Sequence, residues 1–208
     1  MRIRNIKNAG EIIKDNKYII VKPEEYKGHY NDVFGNDNEI HLEIGMGKGD
    51  FIISKARNNP DVNFIGLEKY TSIVARAVKK LEHEDLPNLK IINGDALNLN
   101  NIFSKEISTI YLNFSDPWPK ARHSKRRLTS DIFLKIYDDI FKDKCVILQK
   151  TDNTGLFESS IVSLSNYCYK IEDISLDLWS TDKFYEETEY ERKFKNKGVK
   201  INYLKATK

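Results

Sequence analysis

Short β-rich runs alternating with helical stretches constrain this chain more than any other feature. The runs are Ile40–Ile44, Asn63–Leu67, Leu89–Ile92, Ile107–Phe114, Cys145–Leu148, Tyr169–Leu176 and Val199–Leu204. Helical segments are expected at Phe51–Asn58, Ser72–Glu84, Asp131–Phe141 and Gly155–Ser165, with Val74, Val78 and Leu81 recurring on one face of the second. A crossover helix returns the chain to the same end of the sheet, so the alternation predicts an α/β fold: a mostly parallel, seven-stranded sheet with helices on both faces. No clear helix separates the last two runs, which are expected to form an antiparallel C-terminal end. Residues 1–38 are polar and aromatic, interrupted by Pro23 and Gly28, and read as an N-terminal extension laid over a domain spanning residues 39–208. A chain of 208 residues suits a single domain with a substantial core.

The net charge of +3 says little about partners; its distribution says more. Every charged side chain from Arg192 to Lys208 is basic, and Lys120, Arg122, Lys125, Arg126 and Arg127 form a second one-signed stretch around His123, with no acid before Asp131. Local patches of this kind bind polyanions without a strongly basic average. Cys145 and Cys168 sit in apolar or aromatic surroundings without metal-ligand spacing, so both are expected to be buried and reduced, and no metal site is expected. No apolar run is long enough to span a membrane and Met1–Asn5 lacks a signal-peptide core, which makes the cytoplasm the expected compartment.

Three consecutive runs end in acids. Glu43 opens the turn Glu43-Ile44-Gly45-Met46-Gly47-Lys48-Gly49-Asp50, Glu68 ends the second run, and Asp95 follows the third. Glycines in such a turn let a ligand approach the backbone closely, and the carboxyl ends of parallel strands line one crevice. An acid at the second strand end suits a ribose diol, and one after the third suits the exocyclic amine of adenine. A nicotinamide cofactor carries a pyrophosphate and needs an uncharged helix N-terminus. Here the third glycine comes one residue early and Asp50 occupies the helix start, as an N-cap, where it would repel that anion. S-adenosylmethionine has no phosphate and carries two cationic groups, so the acid-rich crevice fits this methyl donor better.

The fourth run delivers Asn113-Phe114-Ser115-Asp116-Pro117-Trp118-Pro119-Lys120 directly ahead of the cationic loop. This string, with Arg122-His123-Ser124-Lys125-Arg126-Arg127-Leu128, Lys150-Thr151-Asp152-Asn153 and Thr188-Glu189-Tyr190-Glu191, closely resembles the bacterial tRNA (guanine-N(7)-)-methyltransferase family. Together with the glycine turn and Glu68, the resemblance spans nearly the whole chain. It implies a Rossmann-like class I methyltransferase fold, S-adenosyl-L-methionine as donor, and methylation of guanine 46 in the tRNA variable loop. Carried over by position, it implies donor contacts at Glu43, Gly45, Gly47, Glu68, Asp95 and Asp116. It implies substrate contacts at Lys120, Asp152, Thr188, Glu189, Tyr190 and Glu191, and RNA-backbone contacts at Arg122, His123, Ser124, Lys125, Arg126 and Arg127. Three positions depart from the family pattern: Arg2-Ile3-Arg4-Asn5 lacks a tryptophan common in relatives, Met46 replaces a smaller residue, and Gln149 replaces an aromatic.

The residues fit that chemistry on their own account. Guanine N(7) is a lone-pair nucleophile, so no proton must leave before it attacks a methyl group, and no Ser-His pair is evident. Alignment of the reactants is the main task, worth roughly 7–11 kcal/mol. Asp116 is the catalytic candidate, holding the guanine N–H groups and offsetting positive charge on the ring, with Asp152 as a second base-reading acid. Trp118 is expected either to stack on a base or to wedge into the core, and His123 to contact phosphate or solvent rather than to act in catalysis. Rival readings are a methyltransferase for a protein or small molecule, a noncatalytic RNA-binding module and a nicotinamide-dependent oxidoreductase. Either a monomer or a homodimer satisfies these features.

Overall fold

The computed structural model describes residues 6–181, 187, 188, 191 and 198–208. Seven strands, β1 (Ile40–Ile44), β2 (Asn63–Glu68), β3 (Leu89–Asn93), β4 (Ile107–Asn113), β5 (Phe141–Thr151), β6 (Lys170–Ser175) and β7 (Asn202–Thr207), form one sheet in the order β3-β2-β1-β4-β5-β7-β6. The first five pair in parallel, while β7 runs antiparallel to both β5 and β6. The expected antiparallel end is therefore present, but its last strand inserts between β5 and β6 instead of folding back along the outer edge.

The α-helices bounded within the described residues are α1 (Ala9–Lys14), α2 (Tyr30–Phe34), α3 (Asp50–Asn58), α4 (Thr71–Lys80), α5 (Leu99–Ile102), α6 (Asp131–Ile140) and α7 (Thr154–Asn166). Two apolar clusters line the sheet. One contains Leu42, Ile65, Phe103, Leu134 and Tyr137, the other Ile52, Phe64, Val74, Val78 and Leu89. Every residue of β2 is buried, as a parallel strand covered on both faces requires, whereas β6 alternates exposed and half-buried positions as an edge strand does. The β3–β4 connection holds the short α5, which four residues of periodicity are too few to announce. Chain direction changes without a loop where α6 ends at Ile140 and β5 starts at Phe141, a residue expected in the helix.

The segment before β1 packs onto the free edge of β3. Ile20 N donates to Ile91 O at 3.0 Å and Ile91 N to Tyr18 O at 2.7 Å, capping backbone groups that would otherwise offer a pairing edge. Tyr18 and Tyr30 are buried in the two clusters, so this segment contributes to the core. The cysteines depart from expectation: Cys145 is half-buried and Cys168 exposed, in a left-handed turn after α7 that no longer faces the core. Among the described residues no helix is long and apolar enough to cross a membrane.

Gln149 on β5 is buried, and neither end of its side-chain amide has a hydrogen-bond partner among the described residues. Burying an amide without partners costs about 1–3 kcal/mol. Replacing it by the isosteric, apolar Met is therefore expected to raise unfolding free energy by about 1–3 kcal/mol in urea titrations; a loss of stability would show that the amide is paired.

Candidate active site

The glycine turn is built by bonds to β2. Gly45 N and Met46 N both donate to Leu67 O, at 2.8 and 3.1 Å, and Gly47 N reaches Glu68 Oε2 at 3.2 Å. Gly47 has φ 58° and Gly49 φ 78°, left-handed values that residues with a Cβ rarely adopt. A Cβ on Gly49 would also press within 3.2 Å of Ile53 Cδ1 and 3.3 Å of Ala77 Cβ, where α3 meets α4. No atom lies within 4 Å of a Cβ built on Gly45 or Gly47, so that stretch of backbone is open to a ligand. The large Met46 side chain lies over Gly66 of β2, filling the space that a Cβ there would need. Asp50 is not the N-cap of α3; Gly49 takes that position, and Asp50 at the first helical residue pairs with Lys80.

Glu43 sits at the centre. It is 2% exposed, and Oε1 accepts a 2.8 Å bond from Asn113 Nδ2 at the end of β4. Oε2 has no hydrogen-bond partner among the described residues. Burial pushes this carboxyl up to about 7, against the opposing effects of the Asn113 bond and the Lys150 charge, while Asp50 and Glu191 push it further up. A buried carboxylate with one oxygen unpartnered among the described residues, beside open glycine backbone, can accept a cationic group.

Glu68 is held by two backbone amides, Tyr70 N to Oε1 at 2.9 Å and Gly47 N to Oε2 at 3.2 Å. Burial raises its pKa, the backbone amides of Tyr70, Gly47 and Lys69 oppose the rise, and the charge of Asp116 adds to it. Asp95 caps the turn after β3 through Leu97 N, 3.1 Å from Oδ1, and pairs with Lys69 Nζ at 2.8 Å, which lowers its pKa. Asn93, absent from the expected site residues, ties these ends together: its Nδ2 donates to Glu68 O at 2.9 Å and Lys69 O at 3.1 Å.

Asp116 is exposed on the loop after β4. Phe114 and Trp118, on either side of it, have φ 50° and 42°. Trp118 neither enters the core nor stands free. It is half-buried in the loop, with the Arg126 guanidinium 4.7 Å above its ring and His123 edge-on at 5.7 Å. Residues Ala121–Arg126 form a 3₁₀ helix, so the cationic stretch is folded rather than extended. Lys120, Arg122, Lys125 and Arg126 are exposed, while His123, Ser124 and Arg127 are half-buried. Asp152 is exposed just beyond β5, and Asn153 caps α7 through Leu156 N.

Lys150, next to Asn113 across the β4–β5 pairing, makes a buried ion pair with Glu191, Nζ lying 3.3 and 3.4 Å from its two oxygens. Thr188 and Glu191 bond reciprocally. Thr188 N donates to Glu191 Oε2 at 2.7 Å, and Glu191 N donates to Thr188 Oγ1 at 3.0 Å. That is a capping box, read as Thr-x-x-Glu in sequence. Thr188 and Glu191 are both buried, while Glu189 and Tyr190 lie outside the described residues, as do Arg2–Asn5 and residues 192–197 of the basic stretch from Arg192 to Lys208.

The raised Glu43 carboxyl has a consequence for stability. Between the ordinary carboxylate range and about 7 the folded state holds a proton that the unfolded state has lost, so stability falls as pH rises through that window. Glu43→Gln removes this dependence. In ligand-free urea titrations the variant is expected to match the wild type near pH 4 and to gain on it as the pH rises to 8, by on the order of 3 kcal/mol. A stability difference independent of pH would show that Glu43 ionises normally.

Comparison with known proteins agrees with this architecture. A family model described as "Putative methyltransferase" matches residues 37–204. A tRNA (guanine-N(7)-)-methyltransferase of Geobacillus sp. (strain WCH70) is 49% identical over 204 residues, covering 97% of this chain and 93% of that protein. One from Bacillus cytotoxicus is 46% identical over 211 residues, covering 99% and 96%. Among solved structures, the 16S rRNA methyltransferase KamB superposes with a TM-score of 0.66 at 15% identity, over 86% of this chain and 92% of its own. A 16S rRNA (adenine(1408)-N(1))-methyltransferase from Catenulisporales acidiphilia, solved with its cosubstrate S-adenosylmethionine, superposes at 0.61 with 14% identity, over 90% and 92%. With its strand order, its glycine turn and this similarity over nearly its full length, the chain has the Rossmann-like class I methyltransferase fold and belongs to the tRNA (guanine-N(7)-)-methyltransferase family.

Proposed function

We propose that the protein transfers a methyl group from S-adenosyl-L-methionine to N(7) of guanine 46 in the variable loop of tRNA, in the cytoplasm. The observation that carries this reading is the buried Glu43, with one carboxylate oxygen unpartnered among the described residues, at the strand end that opens into the glycine turn. Bound there, the donor supplies an electrophilic methyl group on a sulfonium centre. Glu43 is assigned to its ammonium group, Glu68 to the ribose diol, Asp95 to the adenine amine, and the backbone at Gly45 and Gly47 to its flank. The Tyr70 and Gly47 amides fix the orientation of the Glu68 carboxylate for that role.

Guanine N(7) attacks with its own lone pair, so the protein's task is to hold the base. Asp116 accepts the guanine N–H groups and balances the positive charge that grows on the ring. Asp152 and Lys120, exposed on neighbouring loops, contact the same substrate, together with Glu189 and Tyr190. Thr188 and Glu191 act from within, seating that segment through their capping box and Lys150. The RNA backbone meets the loop from Arg122 to Arg126, and residues 1–38 serve as an extension of the domain formed by 39–208. An exposed loop suits such a site, because N(7) faces the narrow major groove of A-form RNA.

Labelled S-adenosylmethionine and unmodified tRNA with guanine at position 46 are expected to yield labelled 7-methylguanosine at that position. Labelled protein or another nucleoside in its place would overturn the assignment. Asp116→Ala is expected to lower kcat by on the order of 100-fold or more, with a smaller loss of donor affinity by calorimetry. Unchanged turnover would remove Asp116 from the mechanism.

A further inference from the structure

The turn that carries Asp116 is held in an unusual way. Pro117 and Pro119 have no N–H, and among the described residues no backbone–backbone hydrogen bond holds residues 115–119. Trp118 between the prolines, and Phe114 before Asp116, adopt left-handed φ values that are unfavourable for residues with a Cβ. Such a segment keeps one shape only if its surroundings impose it. Arg127 does so: its Nε donates to Pro117 O at 3.2 Å and its Nη2 to Trp118 O at 3.1 Å, so one planar guanidinium bridges two successive carbonyls.

We propose that Arg127 is a positioning residue, a brace that fixes the Pro117–Trp118 turn and thereby aims Asp116, rather than one of the phosphate contacts of the basic loop. Its own seat is firm. Arg127 N donates to Ser124 O at 3.0 Å, Ser130 N donates to Arg127 O at 2.9 Å, and Thr129 is pinned to Ser160 of α7 by a buried 2.9 Å hydroxyl pair. Arg126 and His123 close over Trp118 from the same 3₁₀ helix, so the loop clasps the indole while Arg127 holds the main chain. The cations of the loop thus divide the work: Arg122 and Lys125 face solvent, and Arg127 faces its own backbone. Lysine keeps the charge but cannot bond both carbonyls as a fork.

The role of Asp116 rests on the function proposed above, so the test includes a reading independent of turnover. Arg127→Lys is expected to lower kcat for tRNA methylation about tenfold or more with KM for tRNA within about twofold, a pattern typical of an interaction felt at the transition state. Arg127→Gln is expected to leave the slope of log tRNA affinity against log salt unchanged, whereas Arg122→Gln flattens it by roughly 0.7–0.9, as loss of one phosphate contact does. In a Trp179→Phe background Trp118 is the only tryptophan, and Arg127→Lys is expected to increase its quenching by acrylamide in the folded protein. Wild-type kcat in Arg127→Lys, a flattened salt slope in Arg127→Gln, or unchanged Trp118 quenching would each overturn the brace. Absence of 7-methylguanosine from the wild-type protein would count against the proposed function, and the quenching result would still decide whether Arg127 holds the turn.

Discussion

The site depends on the parallel pairing of β1 with β2 on one side and β4 on the other. That pairing sets Glu43 level with Gly66 and with Tyr111, and carries Asn113, two residues farther along β4, to the Glu43 carboxylate. A slip of one residue in either pairing would reverse the faces and remove the bond. Side-chain amides then join the strand ends where the ladder stops: Asn113 ties β4 to β1, and Asn93 ties β3 to β2. Parallel strands thus place the acids, and two asparagines hold their ends together.

Glu43 and Glu68 are buried at neighbouring strand ends, which is costly for carboxylates, while Asp116 stays exposed on the loop after β4. Different devices limit the cost. Glu68 takes two backbone amides, Asp95 a lysine and an amide, and Glu43 an amide side chain with the charge of Lys150 nearby. Lys150 also compensates Glu191, so one buried cation serves the acid at the end of β1 and the acid of the Thr188 segment. In the proposed complex, the donor's ammonium group balances Glu43.

Much of this was legible in the sequence. Short buried runs with helices between them specify parallel pairing, and all seven strands fall at or within a few residues of the expected runs. The insertion of β7 between β5 and β6 was not legible, because period-two alternation reports burial and not which neighbour a strand chooses. Nor were the roles within the basic loop. Arg126 and Arg127 look alike in a string of cations, yet one stacks on Trp118 and the other bonds Pro117 and Trp118 carbonyls. The Thr-x-x-Glu spacing was visible as part of a family motif, but the capping box inside it emerged only when Glu191 was seen buried against Lys150.

The insertion of β7 also bears on how the protein comes into being. Its two partners are made earlier, with β5 complete some fifty residues before β7 begins, and neither can satisfy its inner edge with the other. On the ribosome, both therefore wait with unpaired backbone until the final strand emerges and slides between them. Vectorial synthesis exposes such edges to chaperones and to like edges on neighbouring nascent chains. The last strand thus acts as the closing key of the sheet, and its arrival covers both inner edges at once.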